Sequence, residues 1–156
     1  MKIRNIVLFI LITACFISCG STPRFSSVTK KEWKLVKVFV EETPVNRTIT
    51  YDRGDLKKEN IDNIFTITFS SDSISGTGAP NRYSASYSTG SNQAITIRSI
   101  RSTTNAALVQ PEKLQEQTFY VYLQNASKWN VVDKNLEIVS KTEDGKPVKM
   151  VFGLFK

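Results

Sequence analysis

The sequence predicts an α+β domain that is mainly β, a curved antiparallel sheet or cracked barrel with one amphipathic helix at about 111–126. Three observations carry this expectation. Short runs such as 64–69 and 94–100 alternate apolar and polar residues between Gly, Asn and Ser turns, the period-two mark of antiparallel strands. The period changes once, across 111–126, where Leu114, Phe119, Tyr122, Leu123 and Ala126 recur at spacings of three to five. In 74–87 two strand-like halves meet at Gly76, Gly78, Pro80 and Asn81. A prolyl nitrogen offers a sheet no donor, and paired glycines allow bulged or left-handed backbone, so a sharp bend is expected there.

Size permits one core. The chain has 156 residues, 40% of them hydrophobic and 10% aromatic, too few for two ordinary domains. The expected organisation is a lipoprotein signal peptide at 1–19, a tether at 20–31 and the domain at 32–156. Lys2 and Arg4 precede an apolar run of about a dozen residues, the length of a signal h-region and too short to span a bilayer.

Both cysteines lie at the end of that run. A small residue before a Cys that closes an apolar leader resembles the bacterial lipobox, in which the Cys becomes the lipidated first residue. Cys15 is followed by more apolar sequence, whereas Cys19 is followed by Gly20, Ser21, Thr22 and Pro23, a polar tether. Cys19 is therefore preferred, with Cys15 second. Neither has a partner later in the chain for an intradomain disulfide. The formal charge is +7; without Lys2 and Arg4 nineteen basic side chains face fourteen acidic ones, a surplus of five.

Along the domain, 32–40 reads as a well-buried strand, with Trp33, Leu35 and Phe39 on one face and Val36, Val38 and Val40 on the other. Residues 41–63 read as an irregular stretch holding a short strand at 48–51 and a helical turn at 56–59. Arg53, Gly54 and Asp55 spell an adhesion tripeptide, which recurs by chance and carries no weight here. Strand 64–69, with Phe65, Ile67 and Phe69 on one face, leads through a Ser-rich turn into the bend, and Gly90, Ser91 and Asn92 turn the chain into the strand holding Ile95 and Ile97. Pro111 suits the first turn of the helix, and Glu112 and Glu116 suit its positive end. Strands 128–132 and 136–140 flank the turn at Asp133, Lys134 and Asn135, and Gly145 turns the chain into 148–155.

Several of these pieces resemble one family. Gly76, Gly78, Asn81, Arg82 and Tyr83 are similar to the signature of the META (HslJ-like) domain, G-S-x-G-C-N-R-Y followed by an aromatic strand. Its other parts resemble the Trp33-x-Leu35 opening, the segment Ser102, Thr103, Thr104, and Glu116-x-x-Phe119-x-x-x-Leu123 leading to Trp129-x-Val131 and Leu136-x-Ile138. Order and spacing, from Trp33 to Phe152, carry the resemblance. Pro80 stands where relatives often have Cys and Leu108 near the other expected Cys; if those pair in relatives, this chain holds the bend to the helix by packing alone. The resemblance implies a β-rich, barrel-like, often envelope-associated domain with no established catalytic residue and loosely stress-related roles.

Chemistry is sparse. With no His in the chain and no Cys in the expected mature domain, His triads, His metal sites and thiol catalysis are excluded. No phosphate-cradling glycine loop is present, and no metal or cofactor is expected. Asp52 with Asp55, or Asp133 with Glu137, are the available carboxylate pairs, and their turn or outward positions read as solvated surface. Asn81 is expected to bond its own backbone and Tyr83 to join the core. Lys34, Lys37, Arg82, Arg98 and Arg101 could line a sheet face for nucleic acid, but an exported lipoprotein meets membranes, glycans and proteins first, so no nucleic-acid partner is expected. The reading is a non-enzymatic binding module of the bacterial envelope, lipid-anchored with the outer membrane favoured. Its expected partner is an envelope or secreted protein. The alternative is an exported peptidase inhibitor presenting a loop stiffened by Pro80, at 76–82 or 41–55.

Overall fold

Strand β1 (Glu32–Thr43) runs through the middle of the sheet and sets its shape. The computed structural model describes residues 23–43, 46–56, 63–105 and 111–154. The expected leader with Cys15 and Cys19, and Leu108, lie outside these. The other strands are β2 (Asn46–Asp52), β3 (Thr66–Phe69), β4 (Ser73–Thr77), β5 (Arg82–Thr89), β6 (Ile95–Ser102), β7 (Lys128–Val132), β8 (Asn135–Lys141) and β9 (Pro147–Leu154), with helices α1 (Arg53–Leu56) and α2 (Glu116–Gln124). They form one antiparallel sheet in the order β6-β5-β4-β3-β1-β9-β8-β7, with β2 paired to β1 beyond β3. The sheet is not closed into a barrel. Among the described residues its two edges meet at one end, through the bridge between Ala94 and Lys128 and the bond from Ile95 N to Ser127 O at 3.1 Å, while α2 packs against β6 and β8.

A bulge in β1 corrects the strict period-two expectation. Leu35 pairs with Phe152 and Lys37 with Val151, so Val36 is an extra residue and the faces exchange there. Trp33 and Leu35 are buried before it and Val38 and Val40 after it, whereas Phe39 turns partly outward beneath the Lys149 ammonium, 5.7 Å from its ring centre. Arg53 serves this irregular region from inside. Its guanidinium donates from Nε to Leu35 O at 2.5 Å and from Nη2 to Ile64 O at 2.6 Å, so the Arg-Gly-Asp tripeptide has its arginine buried. The core between sheet and helix is largely aromatic, with Phe65 4.9 Å and Tyr83 5.9 Å from Phe119, ring centre to ring centre.

Two expected boundaries move. The helix is Glu116–Gln124 rather than 111–126: Pro111 and Leu114 are buried, but they precede the helix in an irregular turn. The tether is shorter than expected. A 3-10 turn at Phe25–Ser27 puts the Phe25 ring 5.2 Å from Phe69 and 4.9 Å from Trp129, Val28 is fully buried, and Trp33 Nε1 donates to Val28 O at 2.9 Å. Ser26 and Ser27 between them, with Arg24 and Thr29 outside, hide these two apolar residues from a reading of composition. The β7–β8 turn matches expectation, since Asp133 and Lys134 both take positive φ, as a two-residue hairpin turn demands.

If the segment before β1 is part of the core, Phe25→Ala will lower unfolding stability by about 2 kcal/mol, below the range for a fully buried Phe because the ring is only half-buried. Urea denaturation reads this directly. A loss under about 0.5 kcal/mol, the size of an ordinary surface change, would mean that the packing contributes nothing.

Candidate functional site

The segment 76–83 is the tip of the β4–β5 hairpin, docked on the first turn of α2. Thr77 pairs with Arg82, and the four residues between them make the loop, closed by Gly78 N donating to Asn81 O at 2.6 Å, with the Ala79–Pro80 peptide cis. The expected sharp bend between two strand-like halves is therefore the loop of a hairpin. Ala79 and Asn81 are buried, whereas Pro80 and Arg82 are exposed. Tyr83 joins the core as expected, its hydroxyl donating to Thr66 O at 2.8 Å.

The side chain that receives this loop is Glu116, itself buried. Its Oε1 accepts from Ala79 N at 2.6 Å and Asn81 N at 2.7 Å, and its Oε2 accepts from Asn81 Nδ2 at 2.7 Å. Asn81 passes the connection on. Its Oδ1 accepts from Asn105 N at 2.7 Å and from Thr103 Oγ1 at 2.8 Å, and its Nδ2 also donates to Asn105 O at 3.2 Å. Asn81 thus bonds across the fold instead of to its own backbone. The bend is held to the helix by hydrogen bonds, not by packing alone. Three stretches that carried the family resemblance, around Asn81, Thr103 and Glu116, meet here.

The two glycines serve close approach and not left-handed backbone, since among the described residues only Gly145 has a positive φ of the glycine kind. A Cβ on Gly76 would overlap the Thr66 carbonyl, and one on Gly78 would overlap Glu116 Oε1 and the Tyr120 hydroxyl. In the sequence Glu116 suits the positive end of the helix and opens the Glu116-x-x-Phe119 part of the family resemblance, but neither marks it as the acceptor of the loop. Its signal was there: an acid three residues before Phe119, at the spacing that puts both on one face of a helix.

The other acids named from sequence are surface partners. Asp52 lies 3.1 Å from Lys37 Nζ and accepts from Gly54 N at 2.9 Å, and that backbone bond leads in holding its carboxyl below the ordinary value. Asp55 pairs with Lys113 at 3.0 Å and Glu137 with Lys149 at 3.2 Å, and Asp133 is an exposed turn residue. Among the described residues no three His, Cys, Asp or Glu side chains gather as a metal site would require.

Tyr83 and Tyr120 border Gly76 and Gly78. Burial raises both phenols above their ordinary value, with the Tyr83–Tyr120 interaction adding for Tyr83 and the charge of Glu116 for Tyr120. The Tyr120 hydroxyl touches this region without a hydrogen bond of good geometry. Because the folded values are raised, the unfolded chain ionises first. Stability is then full below about pH 10 and falls as pH rises beyond it towards the folded values. Denaturation midpoints measured against pH will decline above about 10, and phenolate absorbance will show buried tyrosines ionising only as the protein unfolds. All five tyrosines ionising near pH 10 in a chain that stays folded would contradict this.

Comparison with known proteins supports the same fold. A model of the META domain matches residues 26–151. No curated protein matches the chain. A crystal structure of a DUF4847 family protein from Bacteroides vulgatus superposes with a TM-score of 0.55 at 14% identity, covering 83% of this chain and 95% of that one. The NMR structure of a protein from Burkholderia xenovorans gives a TM-score of 0.56 at 14% identity, covering 82% of this chain and 85% of that one. At these identities the likeness concerns the fold alone.

Proposed function

The chain belongs to the META domain family, and from that premise we propose that it is a non-catalytic binding module of the bacterial cell envelope, exported and held at a membrane by lipid on Cys19. The observation that carries the non-catalytic part is the state of the one buried acid at the signature. Glu116 spends both oxygens on the hairpin loop, with Oε1 on two backbone amides and Oε2 on Asn81. A general acid or base needs an accessible oxygen within reach of a substrate proton, and this carboxylate faces backbone instead.

Packing of Phe25 and Val28 supports a close anchor. From Cys19 only residues 20–24 remain as tether, a reach of about 17 Å when fully extended. The end of the sheet bearing Phe25, Phe69 and Tyr87 would then stay near the membrane, with Arg24, Lys30 and Lys31 close by. Such cations favour anionic headgroups by about 1 kcal/mol each when near the surface. The outer membrane remains the favoured address and an envelope-stress role the associated physiology. The peptidase-inhibitor alternative is weakened at its first loop, because Gly78, Ala79 and Asn81 are buried and only Pro80 at the tip is exposed, too short a stretch to fill a protease cleft.

Mass spectrometry of the N-terminus, on protein taken from native membranes, tests the address. The expected species begins at Cys19 and carries a diacylglyceryl mass. A mature chain that starts elsewhere, or carries an unmodified Cys19, would overturn the anchor and with it the proposed location.

A further inference from the structure

We propose that the outer face of β3–β6 binds an extended anionic glycan, a polysaccharide bearing carboxylate or phosphate groups, along a row formed by Arg82, Arg101 and Arg98. This deepens the binding-module reading above and rests on it.

The row exists because β6 is bulged. Ser84 pairs with Arg101 and Ser86 with Arg98, so two residues of β6, Ser99 and Ile100, stand opposite the single Ala85 of β5. Ser99 takes a positive φ of 57° at this irregularity. Residues three apart on a regular strand point to opposite faces; the extra residue returns Arg98 and Arg101 to the same one, while Ile100 is partly buried against the core. Arg82 lies two residues before Ser84 on β5 and shares its exposed face. The three positions form a diagonal line with steps of about 7–8 Å and a length of about 15 Å. All three arginines are exposed, and among the described residues none of their guanidinium groups has an ion-pair or hydrogen-bond partner.

The surface around the row is hydroxyl-rich. One shallow groove of about 290 Å³ is lined by Thr66, Thr68, Ser75 and Thr77 with Arg82 on it, and a second of about 320 Å³ by Ser73, Ser84, Ser86 and Ser99 with Arg101 on it. Glu32 lines the first and Asp72 the second. Hydroxyls both donate and accept, which suits a ligand that presents hydroxyls and ring oxygens, and each planar guanidinium can take a carboxylate or phosphate with two parallel bonds.

Other polyanions fit less well. The exposed large apolar residues among those described are Ile49, Val132, Val139 and Leu154, and none lies on this face. Single-stranded nucleic acid would therefore find no aromatic platform for its bases, and a bilayer would meet no side chain able to enter it. The row also runs along the strands, from the level of Tyr87 towards the hairpin tip, so a membrane at the Phe25 end would reach only one arginine.

The test is titration calorimetry on the full chain in non-ionic detergent, with sodium polygalacturonate as the probe. Neutral dextran, an oligothymidylate and phosphatidylglycerol vesicles serve as comparisons. Polygalacturonate is expected to bind more tightly than any of these, each single change Arg82→Ala, Arg98→Ala or Arg101→Ala to weaken it about 3- to 5-fold, and the triple change at least about 30-fold. Removing three charges elsewhere, with Lys128→Ala, Lys134→Ala and Lys141→Ala together, is expected to change it less than about 2-fold; an equal loss in both triple variants would reduce the effect to net charge and overturn the row. Thermal melting checks that the variants remain folded. Tighter binding to the oligonucleotide or the vesicles would overturn the glycan assignment while leaving a binding role. No binding to any probe would overturn the inference, and the N-terminal mass still reads the anchored location separately.

Discussion

The structure depends on one buried carboxylate. Transferring Glu116 from water into the interior costs several kcal/mol unless its oxygens are met by donors, and three N–H groups of the hairpin loop meet them. The dependence runs both ways. Without the acid, the amides of Ala79 and Asn81 and one N–H of the Asn81 side chain, whose other N–H is on Asn105 O, would be buried donors with no acceptor, each at a cost of about 1–3 kcal/mol. Neither half of the contact is tolerable alone, so loop and helix specify each other's position.

From that contact the rest of the polar interior follows. Asn81 carries the constraint to Thr103 and Asn105, just past the end of β6, and Gly78 keeps its backbone against Glu116 because nothing larger than hydrogen fits. Arg53 plays a similar part for the bulged middle of β1, donating to the carbonyls of Leu35 and Ile64. Two buried polar side chains thus fasten the places where regular pairing fails, the hairpin tip and the β1 bulge. Phe65, Tyr83 and Phe119 pack ring against ring, and the one hydroxyl among them, that of Tyr83, donates to Thr66 O at 2.8 Å. The helix α2, held at its first turn by the loop, packs against β6 and β8.

Much of this was legible in residue pattern. Alternation found the strands because one face of each is buried, and the change of period found the helix. The pattern failed where backbone geometry departs from an ideal strand. An extra residue at Val36 exchanged the faces of β1, and another at Ser99 brought Arg98 and Arg101 together; neither position has the Gly or Pro that would mark a bulge. Phe25 and Val28 look like tether in the sequence because isolated apolar residues among serines and lysines carry no period. The importance of 76–83 was visible as a cluster of special residues, but its reason was not. Glu116 lies 35 residues from Asn81, and a hydrogen bond over that separation leaves no local trace. Glycines read as conformational freedom proved to mark the closest approach of two backbones and a carboxylate.

A double-mutant cycle between Glu116→Gln and Asn81→Ala, read by urea denaturation, addresses the clamp most directly. If the carboxylate and the loop stabilise each other, the two losses will be strongly non-additive, with a coupling of at least about 1 kcal/mol. Losses that add to within about 0.3 kcal/mol would mean that the two side chains act independently, and the hairpin tip is then held by something other than Glu116.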